Sequence, residues 1–376
     1  MHVVIDAHFA VKKIDGITRY LNHLLFQLPP LDRSILFTIL TLPQEKCGLT
    51  PEIFYNENVK RLNVSFSGPT PRQHLVMRRL LKYANADIYH HPQYNLPLGL
   101  TIPSIVTIHD LKYIFHPEFF RKKNWLKSYY IKKSLLYTLK SADKIITVSR
   151  NTLEDLKRFT SFDESKTSVI YHGVEKAPDI PENQIIEVLK KHKIPSDYFL
   201  FVGSRRPHKN IHGLVRALAI LRHKFGHNIN LVVVGKKYLD YYEPEFLADE
   251  LGVSQFIRFL DFIPDHELPA LYKSAKAVVL ASYYEGFGLP LVESMSYGTP
   301  VVGSNVSSIP EIIDDAGLLV DPKDTEDIAN KINLILTDSQ LAEDLRSKGL
   351  LRSKKFDWAL VAELTLEVYR DAFKCK

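Results

Sequence analysis

The sequence predicts an α/β protein made of two doubly wound parallel-sheet domains, and three observations carry that expectation. Short apolar runs rich in β-branched residues alternate with helical patterns along the chain, as in Ile35–Leu42, Ser104–Ile108 and Tyr198–Val202. The length of 376 residues suits two domains of roughly 150 to 190 residues, each large enough for its own core. The stretch KAVVLASYYEGFGLPLVESMSYGTPVVGS, residues 276–304, reads as buried strand, glycine loop, helix and second strand. Its loop then falls at the carboxyl edge of a parallel sheet, where such folds bind ligands.

In the first half, strands are expected at Val3–Ile5, Ile35–Leu42, Ile88–His90, Ser104–Ile108 and Lys144–Val148. The segment Asp15-Gly16-Ile17-Thr18-Arg19-Tyr20 leads into a helix with Ile17, Leu21, Leu24, Leu25 and Leu28 on one side, and Pro29-Pro30 is expected to stop it. Gly16 lies in the first strand-to-helix connection, either as a point of close backbone approach to a ligand or as a plain turn glycine. His109 and Asp110 stand just past a strand end. His90 and His91 are adjacent on a strand, so their side chains point to opposite faces, and no third ligand stands at a metal-binding spacing. The segment 177–183, APDIPEN, marks a linker, dividing the chain into residues 1–176 and 184–356 with a terminal stretch 357–376.

In the second half, strands are expected at Tyr198–Val202, Leu231–Gly235, Ile257–Ile263, Ala277–Ala281, Val301–Gly303 and Gly317–Asp321, with Asp265 as an N-cap. The first of these opens into G-S-R-R-P-H-K-N, where Arg205, Arg206 and Lys209 offer charge-assisted donors to a diphosphate or else form a solvated basic turn. After Ala281, Gly286 and Gly288 leave the backbone unshielded, so the N–H groups of Phe287, Gly288 and Leu289 can face an anion at the start of a helix. Pro290 suits the first helical position and Gly298 a left-handed end. Glu285 in the loop and Glu293, read in the first helical turn, are carboxylates that accept paired hydroxyl hydrogen bonds. Together these groups fit a ligand with alternating anionic and hydroxylic parts, a sugar phosphate. The alternative is a helix N-terminus whose acids only favour its dipole.

E-G-F-G-L-P-x-x-E, followed by G-T-P-V-V and S-S-I-P-E, resembles the glutamate-x7-glutamate signature of retaining GT-B glycosyltransferases of family 4. The resemblance runs from Val3 to Asp321. It implies two Rossmann-like domains facing a central cleft: an acceptor-binding domain, a nucleotide-sugar-binding domain, and a C-terminal helix crossing back to the first. It also implies that Glu285 sits by the donor sugar, Glu293 holds the ribose, His109 reaches the donor sugar, and the backbone at Ile263 meets the base. By the same resemblance, Lys209 with Arg205 or Arg206 holds the donor phosphates and Gly16 faces the diphosphate. His90, His91, Tyr94 and Asn95 are then read as an acceptor-side wall. The implied reaction transfers a hexose from a nucleoside diphosphate sugar, with UDP-glucose first and GDP-mannose second, to a hydroxyl of a saccharide or lipid-linked saccharide, with retention at the anomeric carbon. No D-x-D pair occurs, so no metal and no cofactor are expected. No carboxylate can be placed as a covalent nucleophile, which favours same-face substitution with the leaving phosphate helping to deprotonate the acceptor.

Composition narrows the class further. Apolar content of 45% and charged content of 24% are those of a globular protein. Cys47 and Cys375 suggest neither a disulfide framework nor a metal cluster, and no apolar run approaches the roughly 20 residues of a membrane span. The start MHVVIDAHFA lacks the charged and apolar regions of a signal peptide. The expected place is the cytoplasm, at or near the inner face of a membrane. Between Arg121 and Lys144, Arg121, Lys122, Lys123, Lys127, Lys132, Lys133 and Lys140 interleave with Trp125, Tyr129, Tyr130 and Tyr137. This segment is either an anionic-membrane surface or a solvated helix with its aromatics in the core. Arg72, Arg78, Arg79 and Lys82 form a second basic cluster. A net charge of +6 over this length, with no reading motif, argues against nucleic acid. Gly286-x-Gly288 lacks the third glycine of a nicotinamide site, since Leu291 takes its place. Two alternatives stay in view: an epimerase-like enzyme acting on a nucleotide sugar without an acceptor, and a noncatalytic sugar- or polyanion-binding protein.

Overall fold

The computed structural model describes residues 1–12, 16–65, 71–119, 125–237 and 243–374. Asp15, Arg121, Lys122, Lys123 and Cys375 lie outside the described residues, as do the side chains of Arg72, Trp125 and Lys127. The chain forms two compact units. Unit one comprises Met1–Pro117, Lys122–Gly173 and Asp357–Lys376, and unit two Glu118–Arg121 and Val174–Phe356.

Unit one holds a seven-stranded parallel sheet: β1 (His2–Asp6), β2 (Leu36–Thr41), β3 (Val59–Asn63), β4 (Ile88–His91), β5 (Ser104–Ile108), β6 (Lys144–Thr147) and β7 (Thr167–Val169), in the order β3-β2-β1-β4-β5-β6-β7. Alternation along β1 feeds two cores. Val3 and Ile5 join the helices Gly16–Leu31 and Trp358–Lys374 on one face, while Val4 packs with Met77, Leu81, Leu135 and Leu139 on the other. Helix Gly16–Leu31 runs through Pro29 and Pro30 rather than stopping before them. Both prolines lie in its last turn, and Asn58 Nδ2 donates to the Pro29 carbonyl at 3.0 Å, which satisfies one of the terminal acceptors.

Unit two holds a six-stranded parallel sheet: β8 (Tyr198–Val202), β9 (Asn230–Val234), β10 (Ile257–Leu260), β11 (Ala277–Leu280), β12 (Val301–Ser304) and β13 (Leu318–Val320), in the order β10-β9-β8-β11-β12-β13. The central strands YFLFV and AVVL are buried almost throughout, which is why they read as unbroken apolar runs. β10 ends at Leu260, three residues short of the expected Ile263. The next helix, Leu268–Ser274, is capped at Glu267 and not at Asp265, because the turn 265–267 intervenes and Pro269 fits the first helical turn.

His90 and His91 do point to opposite faces of β4, but both are fully buried. They are therefore internal hydrogen-bonding groups and not an exposed acceptor-side wall. His90 Nδ1 lies 2.6 Å from Tyr369 Oη of the C-terminal helix, and its Nε2 lies 2.9 Å from Thr107 Oγ1. His91 faces Asp6 at 3.3 Å and Asn95 at 3.0 Å, and Tyr89 Oη donates to the same Asp6 carboxylate at 2.6 Å. Burial alone disfavours the Asp6 anion, yet the imidazoles of His8 and His91 hold its carboxyl far below the usual range.

Burial, with His91 and His109 nearby, pushes the His90 imidazole down to about 3. Burial, with His109 and His23 nearby, likewise holds His172 well below its ordinary value. In the unfolded chain both take up a proton below about pH 6.5. The unfolded state then binds more protons than the folded one, so their stabilisation is complete above about pH 6.5 and falls as the pH drops toward 3. At pH 5 His90 is expected to cost roughly 2 kcal/mol and His172 to add a loss of the same sign, while Asp6 adds its loss only below about pH 4. Both tryptophans of the chain belong to unit one, so urea unfolding followed by their fluorescence at pH 7 and pH 5 reads this difference. His90→Gln is expected to shrink it, leaving the part that His172 contributes. An unchanged midpoint between the two pH values would refute the assignment.

No helix among the described residues is long and apolar enough to cross a membrane. On helix Trp125–Ser141, Ile131, Leu135 and Leu139 face the core, while Tyr129 is 59% and Tyr130 40% exposed beside the exposed Lys132 and Lys133. These two tyrosines are thus not the core aromatics of an ordinary solvated helix. Arg78, Arg79 and Lys82 are exposed on helix Pro71–Tyr83, together with Leu75 and Tyr83.

Candidate active site

In unit two the strand order reverses between β8 and β11, and the loops leaving the carboxyl ends of these neighbours carry the expected phosphate and sugar groups. They meet directly. Lys209 Nζ donates to both oxygens of Glu285, at 2.6 and 2.7 Å, and Ser282 Oγ donates to Glu285 Oε1 at 2.7 Å. The pair is largely buried, with side-chain exposures of 17% for Lys209 and 10% for Glu285. A cation and a carboxylate 76 positions apart in the chain are thereby fixed at one point.

Local sequence explains how each loop is held. After the short 3-10 turn Pro207–Lys209, Asn210 adopts a left-handed conformation (φ 56°, ψ 43°) that asparagine tolerates. Its Oδ1 accepts from Gly213 N–H at 3.2 Å, capping the helix Ile211–His223. Its Nδ2 reaches the carbonyls of Ala281 at 3.0 Å and Pro322 at 2.7 Å. Asn210 thus locks the loop after β8 to the ends of β11 and β13. The Tyr283 N–H adds a bond to the His208 carbonyl at 2.8 Å.

The glycine loop is held from the other side by the turn after β12. Glu285 N–H donates to Ser307 Oγ at 2.9 Å, and Ser308 Oγ lies 3.0 Å from the carbonyls of both Glu285 and Phe287. Gly288 begins the helix Leu289–Ser296 with φ 108°, and a Cβ there would stand 2.6 Å from Ile309 Cδ1, so only glycine fits. Gly286 and Leu289 are half-buried and Phe287 is buried. Pro290 takes the second helical position, and Gly298 follows the helix with φ 69°.

Glu293 is the fifth residue of that helix, so it lies in the second turn and not the first. It is not placed to serve the dipole, and its Oε2 instead accepts from Tyr272 Oη at 2.6 Å. Burial and the Glu293 charge, with Glu175 beyond it, raise the neighbouring Tyr297 phenol to about 12.

Arg205 departs from the expected pattern. Its guanidinium is buried, donates to the Gly235 carbonyl at 3.0 Å and to Glu245 at 3.1 Å, and pairs with Asp261. It lies over the Phe259 ring as well, joining the loop after β8 to β9 and β10. Its donors serve the sheet edge, whereas the adjacent Arg206 is half-buried and its carbonyl accepts the Lys209 N–H at 2.9 Å. Ile263 is buried, in the loop three residues beyond β10.

In unit one, His109 follows β5 and is half-buried, edge-on to Tyr20 with ring centres 5.0 Å apart and stacked on His172 at 5.3 Å. Gly16 is the first residue of its helix, and among the described residues nothing lies within 4 Å of where its Cβ would be. Sequence reasoning missed the supporting residues Ser282, Asn210, Tyr272, Ser307 and Ser308. For Asn210 a signal exists, since asparagine at a strand-to-helix junction is a capping residue. The others act through tertiary placement and leave no local mark.

Two family models match the chain, glycosyl transferases group 1 over residues 184–352 and glycosyltransferase family 4 over residues 14–177. The chain belongs to glycosyltransferase family 4, with the GT-B architecture of two parallel-sheet α/β domains, and it is a glycosyltransferase. It is 35% identical to O-antigen chain mannosyltransferase B of Escherichia coli over 289 residues, which is 75% of this chain and 74% of that protein. It is 28% identical to the serotype-specific mannosyltransferase WbdA of Escherichia coli over 269 residues, 70% of this chain but only 33% of that longer protein. Among solved structures, Anabaena HepE in complex with UDP and glucose superposes with a TM-score of 0.79 at 18% identity, covering 99% of this chain and all of that one.

Proposed function

We propose that the protein is a retaining hexosyltransferase that moves mannose from GDP-mannose to a hydroxyl of a saccharide, in polysaccharide assembly of the O-antigen type. The pairing of Lys209 with Glu285 at the switch point of the second sheet supports this reading, because a cation suited to a diphosphate stands beside a carboxylate suited to sugar hydroxyls. The UDP-hexose expected first from sequence yields to a mannosyl donor. The relatives named as mannosyltransferases are 28% and 35% identical, whereas the UDP and glucose complex belongs to a protein only 18% identical, where likeness speaks for fold alone.

Bond breaking leaves negative charge on the departing diphosphate, which Lys209, Arg206 and the amides following Gly286 would receive. Glu285 would orient sugar hydroxyls and Glu293 the ribose. Same-face substitution follows as the favoured path, with the leaving phosphate taking the acceptor proton. We take these cations to serve where other transferases use a divalent ion, so turnover is expected to persist in EDTA. The acceptor is read as lipid-linked, since the exposed Tyr129 and Tyr130 among lysines suit an anionic bilayer surface.

Thermal shift against a panel of nucleotide sugars tests the donor, because a specific ligand raises apparent stability with its concentration. GDP-mannose is expected to stabilise more than UDP-glucose at equal concentration. Stabilisation by UDP-sugars alone would overturn the mannosyl assignment, and release of free sugar or an epimer without transfer would overturn the transferase mechanism.

A further inference from the structure

Glu285 is an unusual group to find against a phosphate-binding lysine. Its carboxylate takes the Lys209 ammonium with both oxygens, and the fully buried Ser282 adds a third donor on Oε1. The backbone of Glu285 is tied at its N–H to Ser307 and at its carbonyl to Ser308, so the loop is not built to swing the carboxylate away. A diphosphate engaging Lys209 must therefore share the ammonium with an anion already in place. Two negative groups then stand on either side of one ammonium, largely shielded from solvent and from salt screening. What compensates the carboxylate is a set of hydroxyl donors, and the sugar attached to the diphosphate is the part of the ligand that brings them.

We propose that Glu285, positioned by Ser282, selects the loaded donor over the spent nucleotide. It opposes a nucleoside diphosphate alone, and the hydroxyls of an attached hexose offset that opposition. This rests on the donor-site reading above. It adds a consequence for turnover: once the sugar has been transferred, the carboxylate has lost the sugar's hydroxyl donors and favours departure of the diphosphate product.

Calorimetric titration of GDP and GDP-mannose, with UDP and UDP-glucose in parallel, into the wild type, Glu285→Gln and Ser282→Ala tests the idea. Glu285→Gln keeps the shape and removes the charge, and is expected to bind the bare diphosphate about tenfold more tightly while gaining nothing for the sugar-bearing donor. Ser282→Ala removes a donor from the carboxylate and is expected to move the ratio the opposite way, further toward the loaded donor, which a merely structural serine would not do. Equal or weaker binding of the bare diphosphate by a folded Glu285→Gln protein overturns the proposal. So does a wild type that binds the bare diphosphate more tightly than the donor, a readout that needs no variant to fold. Failure of all four nucleotides to bind the wild type overturns the donor-site reading itself, and is thereby told apart from failure of the selection alone.

Discussion

Lys209→Met is expected to lower kcat/KM for transfer by about a thousandfold, the scale of losing one preorganised electrostatic donor at a developing charge. A factor of that size corresponds to about 4 kcal/mol at the transition state. The same substitution leaves the Glu285 carboxylate largely buried with Ser282 as its remaining side-chain donor, which is expected to cost about 1–3 kcal/mol of folding stability. The two effects separate in the double variant Lys209→Met/Glu285→Gln. Removing the stranded charge restores the melting temperature of unit two, but activity stays lost because the cation is still absent and the carboxylate is now gone as well. Steady-state kinetics with thermal melts on the wild type and the two variants read both quantities. A single variant that keeps wild-type turnover would remove Lys209 from the chemistry.

What could be read in the sequence depends on how local the cause is. The loop E-G-F-G-L-P is specified within a few residues, and the backbone of Gly288 at φ 108° shows why glycine stands there. The buried strands β8, β9 and β11 are equally legible, because burial on both faces leaves unbroken apolar runs. β3 is not, since Lys60 and Arg61 sit mid-strand; it is an edge strand, and an edge tolerates charge that an inner strand would not. The histidines of β4 show the same limit from the other side. Alternation gave their opposite directions, but of the partners that make them interior groups only Asn95 is near in the chain, while Thr107, Tyr369 and Asp6 come from β5, the C-terminal helix and β1. Pro29 and Pro30 misled because a residue from another loop, Asn58, serves the helix end they were expected to break.

Arg205 and Arg206 bring that limit to a measurable point, because two adjacent arginines look alike in sequence and their partners separate them. Arg205 is committed to Glu245 and Asp261, 40 and 56 positions away, and to the Gly235 carbonyl. Arg205→Met is expected to destabilise unit two by about 2–3 kcal/mol, below the full cost of breaking a buried ion pair because Asp261 is 71% exposed and regains water. Its turnover per folded molecule should change little. Arg206→Met is expected to act chiefly on turnover: kcat/KM down by ten- to a hundredfold through weaker hold on the diphosphate, with a smaller loss of stability than Arg205→Met. Urea unfolding and kinetics on the same two preparations decide between them. If Arg205→Met instead leaves stability intact and abolishes turnover, the guanidinium must leave Glu245 and Asp261 for the phosphates during the reaction, and Arg205 returns to the role its place in the loop first suggested.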